Sequence, residues 1–240
     1  MNSKNIRFLS MTIFMIGVMA GLVFSGMAVW ADFEASLFDS SLTAEDAFPG
    51  FRCPIIIGQN QTGIISGNVV NNSTYNLKFF IRAHATDGSI VLLKEWEDRP
   101  VVPAGTSQPI QWEISKSNAV WGNFILFRAF QYRYAPVPSR ASSCGIIISP
   151  VPGITGTAAM VLLIGICLVG MGTGLVLWFV QLKRQQGRAR EAASAMVVLA
   201  VFVLAGIVLN LLAMWLLGFF VIIITVLLIF VMMAYFISTP

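Results

Sequence analysis

The sequence predicts an α-helical multipass membrane anchor of four spans, or three after signal cleavage, plus an all-β immunoglobulin-like sandwich ectodomain. Three observations lead there. Uncharged runs stand at Phe8–Trp30, Ile154–Leu182 and Ala192–Ile237, and about 20 apolar residues suffice to cross a bilayer. Most of the polar sequence lies between the first two runs, and parts of it alternate with the period of two that marks a half-buried strand. Two matched stretches bracket that region: Cys53-Pro54-Ile55-Ile56-Ile57-Gly58 and Cys144-Gly145-Ile146-Ile147-Ile148-Ser149.

Composition supports the membrane assignment. Of 240 residues, 57% are hydrophobic and 11% charged, against about 25% charged in a soluble domain. Charge also suggests an orientation. Lys4, Arg7 and the loop 183–191 together hold six basic residues and one acidic, whereas 31–153 holds nine basic and ten acidic. Basic excess belongs on the cytoplasmic side. The net charge of +4 is then a topology signal. Without a basic patch interleaved with aromatics, it does not imply nucleic-acid binding.

Residues 1–31 read as a first transmembrane helix or a signal peptide. Lys4 and Arg7 form a basic start, Phe8–Phe24 an apolar stretch, and Val29-Trp30-Ala31 offers small residues at cleavage spacing. Either reading leaves residue 32 outside. Residues 32–52 read as an acidic extracytoplasmic tether, with Asp32, Glu34, Asp39, Glu45 and Asp46 against Arg52 alone.

Residues 53–149 read as β-structure. Leu77, Phe79, Ile81 and Ala83 alternate with Lys78, Phe80, Arg82 and His84, and Ile110, Trp112 and Ile114 alternate with Gln111, Glu113 and Ser115. Breakers at 71–74, 87–88, 103–106 and 136–138 separate the runs. Strands are expected at 54–58, 63–70, 76–85, 89–96, 108–115, 123–134 and 144–149. Seven strands in about a hundred residues suit an immunoglobulin-like sandwich. The pattern broadly resembles the Ig-like modules of many bacterial surface proteins, a resemblance confined to this segment and carrying no activity with it.

Pro150-Val151-Pro152-Gly153 is a short exit into the span 154–182. A basic cytoplasmic loop, 183–191, follows. The block 192–237 has 46 residues. As one helix it would measure about 69 Å, more than twice a hydrocarbon core of about 30 Å. It must fold back as a transmembrane hairpin, with its turn expected near Trp215–Phe219 at Gly218.

Cys53 and Cys144 would face an oxidising compartment and are expected to pair. Parallel first and last strands in the matched Cys-x-Ile-Ile-Ile register would bring the sulfurs together. Closing a loop of about 90 residues would stabilise the fold by about 4–5 kcal/mol on a chain-entropy estimate. Both strands would then descend toward the membrane, so the tether must climb the height of the domain. Its 21 residues can reach about 70 Å. Cys167 lies inside a span and reads as a packing residue.

No catalytic, cofactor-binding or metal-ligating constellation stands out. His84, the single histidine, falls on a polar strand face with Lys78 and Arg82 and reads as exposed. No nucleophile elbow, metalloprotease helix, phosphate loop or haem-attachment pattern is present. The spans carry no Asp, Glu, Lys, Arg or His, which argues against a pump or channel. Asn210 is the polar residue in them that most needs a partner. Gly170 and Gly174 form a small-residue stripe for close helix packing, with the third or fourth span or with another subunit. Phe130, Tyr132, Arg133 and Tyr134 make an aromatic and basic strand end of the kind enriched where partners bind. Asn60, Asn71 and Asn72 head glycosylation sequons.

These features predict a non-enzymatic integral protein of the plasma or cell membrane. Its disulfide-stapled domain would bind a protein or an envelope component, with no cofactor and no nucleic acid. Its expected partners are the lipid bilayer and another protein or a second copy of itself. The alternative is an accessory subunit of a larger respiratory, photosynthetic or transport complex, docked through the helices.

Overall fold

Among the described residues, one long helix is followed by ten strands, with a short 3-10 helix between the eighth and ninth, and then by three further helices. The structure is a computed structural model and describes residues 3–39, 44–133, 135, 137–182 and 188–238. It divides into two compact units, Met1–Val29 with Met160–Pro240, and Trp30–Ala159.

The first unit is helical. It takes most of α1 (Ser3–Leu37), α2 (Gly156–Leu182), and all of α3 (Arg188–Leu211) and α4 (Trp215–Ser238). All four helices are long and apolar enough to cross a membrane, over Asn5–Leu37, Gly156–Val180, Arg190–Leu211 and Trp215–Ala234. Glycines set the closest approach. A Cβ on Gly170 would stand 2.8 Å from Gly17 Cα, and one on Gly174 would stand 2.6 Å from Phe14 Cβ. Ser10 Oγ donates to the Gly174 carbonyl at 2.6 Å across the same contact. The α2 stripe therefore packs on α1, not on the third or fourth span.

The turn between α3 and α4 comes earlier than expected. Ala213 takes φ 58° and ends α3, in the left-handed position that commonly closes a helix. Gly218 stays inside α4, where a Cβ would stand 2.9 Å from Asn210 Oδ1. Asn210 is buried and returns its amide to the Gly206 carbonyl one turn back, at 2.9 Å.

The second unit holds the strands β1 (Asp46–Ala47), β2 (Ile56–Ile57), β3 (Gly63–Val70), β4 (Leu77–Lys78), β5 (Ile81–Thr86), β6 (Leu93–Asp98), β7 (Val101–Val102), β8 (Ser107–Ile114), β9 (Phe124–Gln131) and β10 (Arg140–Ile148). A six-stranded mixed sheet runs β1-β10-β9-β5-β6, with β2 also on β10, and β3-β8 and β4-β7 form two ribbons. Ile147 pairs with Ile56 and Ile148 with Ile57, in parallel. That is the same offset of 91 residues that separates Cys53 from Cys144. The matched stretches thus pair in the register their sequences share, and the two cysteines are disulfide-bonded with Cα atoms 6.5 Å apart.

The core lies between the large sheet and the ribbons. Ile81, Ala83, Phe127, Ala129, Cys144 and Ile146 meet Ile65, Val69, Ile110, Trp112 and Ile114 there. The other face of the large sheet is covered over part of its length. Ala35 and Phe38, at the end of α1, pack with Val120, Leu126 and Phe124. The immunoglobulin-like fold class is therefore corrected. A sandwich has two antiparallel sheets with polar outer faces. Here the main sheet is mixed and a helix forms a third layer. Nor is the β-domain separate from the helices, since α1 contributes residues to both units.

The acidic tether is corrected for the same reason. Ala31, Ala35 and Phe38 are spaced as one helical stripe and are all buried. Asp32 Oδ1 accepts the Gly145 amide at 3.0 Å. A Cβ on Gly145 would collide with the Ala31 backbone, so that glycine admits α1 to the sheet. Further on, Asp46 and Ala47 pair with Arg140 and Ala141. Phe48 is buried, its ring lying against Gly67 where a Cβ would come within 2.8 Å. Arg52 pairs with Ser66. The expected strand 76–85 is split, because β4 joins a ribbon while β5 joins the sheet.

Candidate functional site

The two ends of the large sheet differ, and register identifies them. β10 finishes at Ile148, eight residues before α2 begins at Gly156. Ile147 lies opposite Phe124 at the start of β9, and Ala85 near the end of β5 lies opposite Phe127. This is the helix end. Arg140, Gln131 and Ile81 mark the far end.

In the half nearer the helix end, α1 is held by a buried polar cluster. His84 Nδ1 lies 2.7 Å from Asp39 Oδ2, and Nε2 lies 3.7 Å from Glu95 Oε1. Arg128 Nη1 donates to the Phe38 carbonyl at 3.2 Å, placing a cation where a helix presents negative potential. Burial pulls the Arg128 pKa down, and the Asp39 carboxylate offsets part of that. Asp39 takes φ 50°, the left-handed conformation that often follows a helix. His84 is only 7% exposed, which corrects the expectation of a solvent-facing histidine. Both ring nitrogens face carboxylates. The cluster's evident work is to fasten the end of α1.

Beyond α1, at the far end, a cleft of about 310 Å³ opens among Lys78, Phe79, Phe80, Arg99, Tyr132 and Arg133. Its floor is aromatic. The Phe80 and Tyr132 rings are 4.8 Å apart, and Tyr132 also meets Phe130 edge to face at 4.8 Å. Arg99 lies 5.0 Å from the Phe80 ring centre and Arg82 5.8 Å, within cation–π range. Arg82 is paired with Glu97 at 3.1 Å, a hydrogen bond that raises its pKa, with Tyr132 adding to the effect. Arg133 reaches Glu45 at 3.2 Å. Arg99 also lies 3.5 Å from Glu97, so Lys78 and two carboxylate-paired arginines, Arg99 and Arg133, stand around a half-buried aromatic pair, a setting suited to an apolar body carrying an anionic group that displaces those carboxylates.

Among the residues singled out from the sequence, Tyr132 and Arg133 line this cleft, whereas Phe130 is buried beneath Tyr132. Tyr134 lies outside the described residues. Lys78, Phe80 and Arg99 were not foreseen. Tyr132 donates its amide to the Phe80 carbonyl at 3.0 Å, and that cross-strand contact has no signature in either segment alone. Of the sequon asparagines, Asn71 is fully buried, with its amide donating to Tyr75, Val102 and Pro103 carbonyls. It is therefore closed to glycosylation in the folded unit, while Asn60 and Asn72 are exposed.

The helical unit has its own cavity. About 390 Å³ opens among apolar side chains that include Met11, Phe14, Met15, Trp178, Met196 and Met233. Among the described residues, no group of three or more His, Cys, Asp or Glu is placed to hold a metal ion.

No family model matches this chain, and no curated protein matches it. Solved structures give partial likenesses. A cycloisomaltooligosaccharide glucanotransferase from Paenibacillus sp. is 10% identical with a TM-score of 0.34, over 45% of this chain and 15% of that one. A β-glucosidase from Listeria innocua is 10% identical with a TM-score of 0.32, over 45% and 16%. A CARDB domain from Pyrococcus furiosus, in complex with di-metal ions, is 10% identical with a TM-score of 0.31, over 42% and 94%. Likenesses this slight carry no inference about activity.

Proposed function

We propose that this is a non-enzymatic integral membrane protein whose β-unit binds a protein or envelope component at the far-end cleft. The observation that carries this reading is the Phe80–Tyr132 pair with Lys78, Arg99 and Arg133 around it, which no helix covers among the described residues. Such aromatic and arginine clusters are the side chains most often found at binding hot spots.

The Cys53–Cys144 disulfide supports an oxidising compartment for the β-unit. The basic residues of 1–7 and 183–191 support a cytoplasmic location for the opposite ends of the helices. The burial of Phe14, Val18 and Phe24 and the bond from Ser10 Oγ to the Gly174 carbonyl support retention of α1 as a membrane helix over removal as a signal peptide. N-terminal sequencing of the mature protein checks this, and a start at residue 32 would overturn it.

The binding test is photo-crosslinking in cells with Tyr132→p-benzoylphenylalanine. One discrete adduct is expected, lost when Arg99→Glu and Lys78→Glu are added. No adduct, or one indifferent to those changes, would refute the site. The accessory-subunit reading is favoured by one observation, that the span in α4 is only 11% buried within this chain. Stoichiometric co-purification with a membrane enzyme complex after gentle extraction would favour it over the stand-alone binder.

A further inference from the structure

The helix end of the β-unit carries large apolar side chains where a soluble domain would place polar loops. The β5–β6 hairpin turns through Gly88 at φ 70° and is closed by the Asp87 amide on the Leu92 carbonyl at 2.8 Å. Its tip and flank are Ile90, Val91, Leu92 and Leu93, with Val91 86% and Leu92 61% exposed. The turn before β9 holds Trp121 at φ 51°, 58% exposed, followed by Gly122 at φ 70°. A bulky residue rarely takes positive φ. Here it coincides with an indole exposed at the surface. Val151, in the exit toward α2, is also exposed.

Register brings these three loops to one end. Thr86 closes β5, Phe124 opens β9, and Ile148 closes β10. The same end receives Ala31 of α1 at Gly145 and releases α2 at Gly156, against the Ile56 carbonyl. Both helices continue into segments long and apolar enough to cross a membrane.

We propose that the Ile90–Leu92 tip and Trp121 form a second membrane contact, dipping into the interfacial layer of the bilayer that α1 and α2 cross. This rests on the reading that those helices are membrane-spanning. Apolar patches of this kind mark interaction sites, and tryptophan favours the headgroup level. The occupant follows from continuity, since the loops share an end with the two chain segments that lead into the spans. Interfacial elements of this type sit about 5–10 Å into the headgroup and acyl boundary.

Spin labelling of the full chain in phosphatidylcholine–phosphatidylglycerol liposomes tests it. Labels are placed singly with Val91→Cys and Trp121→Cys, with Ser107→Cys at the far end and Val176→Cys on the exposed face of α2 as references. The parent's one free thiol, Cys167, is buried and supplies the background. Val91 and Ser107 are exposed, so those labels leave the core intact.

The expected result is oxygen contact at 91 and 121, with contact to a water-soluble nickel chelate several-fold below that at 107. Chelate contact at 91 and 121 equal to that at 107, with 176 in lipid, would overturn the inference and leave the spans intact. Chelate contact at 176 would instead overturn the membrane reading and the inference with it. Protection of 91 and 121 from both colliders would mean that protein covers them, and would also refute it.

Discussion

The helix end and the far end of the β-unit are built from the same strands and put them to opposite uses. At the helix end, the second face of the large sheet is closed by Ala35 and Phe38 over Leu126, and its polar groups are consumed internally. His84 is spent on Asp39, Arg128 on the Phe38 carbonyl, and the Gly145 amide on Asp32. At the far end, no helix covers the same face among the described residues, and its cations lie around aromatic rings at the surface. The difference teaches where to look for function. A charged or aromatic side chain beneath α1 is structural, whereas beyond α1 the arginines stand at the surface, paired with exposed carboxylates that a partner can replace.

This contrast sets an order of expected effects. The largest belongs to the staple, which ties the first edge segment to β10. Cys144→Ser should lower the stability of the β-unit by about 4–5 kcal/mol on the chain-entropy estimate. Denaturant unfolding in detergent, with and without reductant, reads this out. Reductant should affect the parent and not the variant.

Next is Leu126→Ala, which empties the contact under Ala35 and Phe38. The expected cost is about 2–5 kcal/mol, accompanied by protease sensitivity around residues 35–39. Loss of stability without new cleavage there would blur the distinction between the two ends. Gly145→Ala, which forces a methyl against the Ala31 backbone, should cost about 1–3 kcal/mol and raise amide exchange at residues 31–38.

The smallest stability effect is expected at the far end. Arg99→Ala should leave unfolding within about 0.5 kcal/mol of the parent yet abolish the crosslink at position 132. If Arg99→Ala destabilises the unit as much as Gly145→Ala does, the far end is structural as well, and the comparison fails.

Much of the local structure was legible from residue order. The membrane-length helices, the strand 63–70, the strand expected at 108–115 and found one residue earlier at Ser107–Ile114, and the parallel Cys-x-Ile-Ile-Ile pairing follow from hydropathy, period and register. These are properties of a segment or of a matched pair. The reading of 32–52 failed because five acidic residues suggested solvent. The apolar stripe Ala31, Ala35 and Phe38 is short and sits among them. A second small-residue stripe, Gly17 with Gly21 on α1, was equally visible and would have pointed to the partner of Gly170 and Gly174. The cleft was half legible. Tyr132 and Arg133 were apparent from their own strand, while Lys78, Phe80 and Arg99 come from two other segments that meet it only in the folded sheet.

Residue order by itself determined that this protein has four membrane-length apolar helices, a polar β-forming middle and a disulfide in matched register. Each of these is a local or pairwise pattern of charge, period and spacing. Only the tertiary structure decided that α1 runs on past Trp30 to become the third layer of the β-unit. That choice depends on a glycine at 145, a histidine at 84 and an arginine at 128, each more than 40 positions from the helix it receives. Burial of Ala31, Ala35 and Phe38 can offset the desolvation of neighbouring acids only when those partners are already in place.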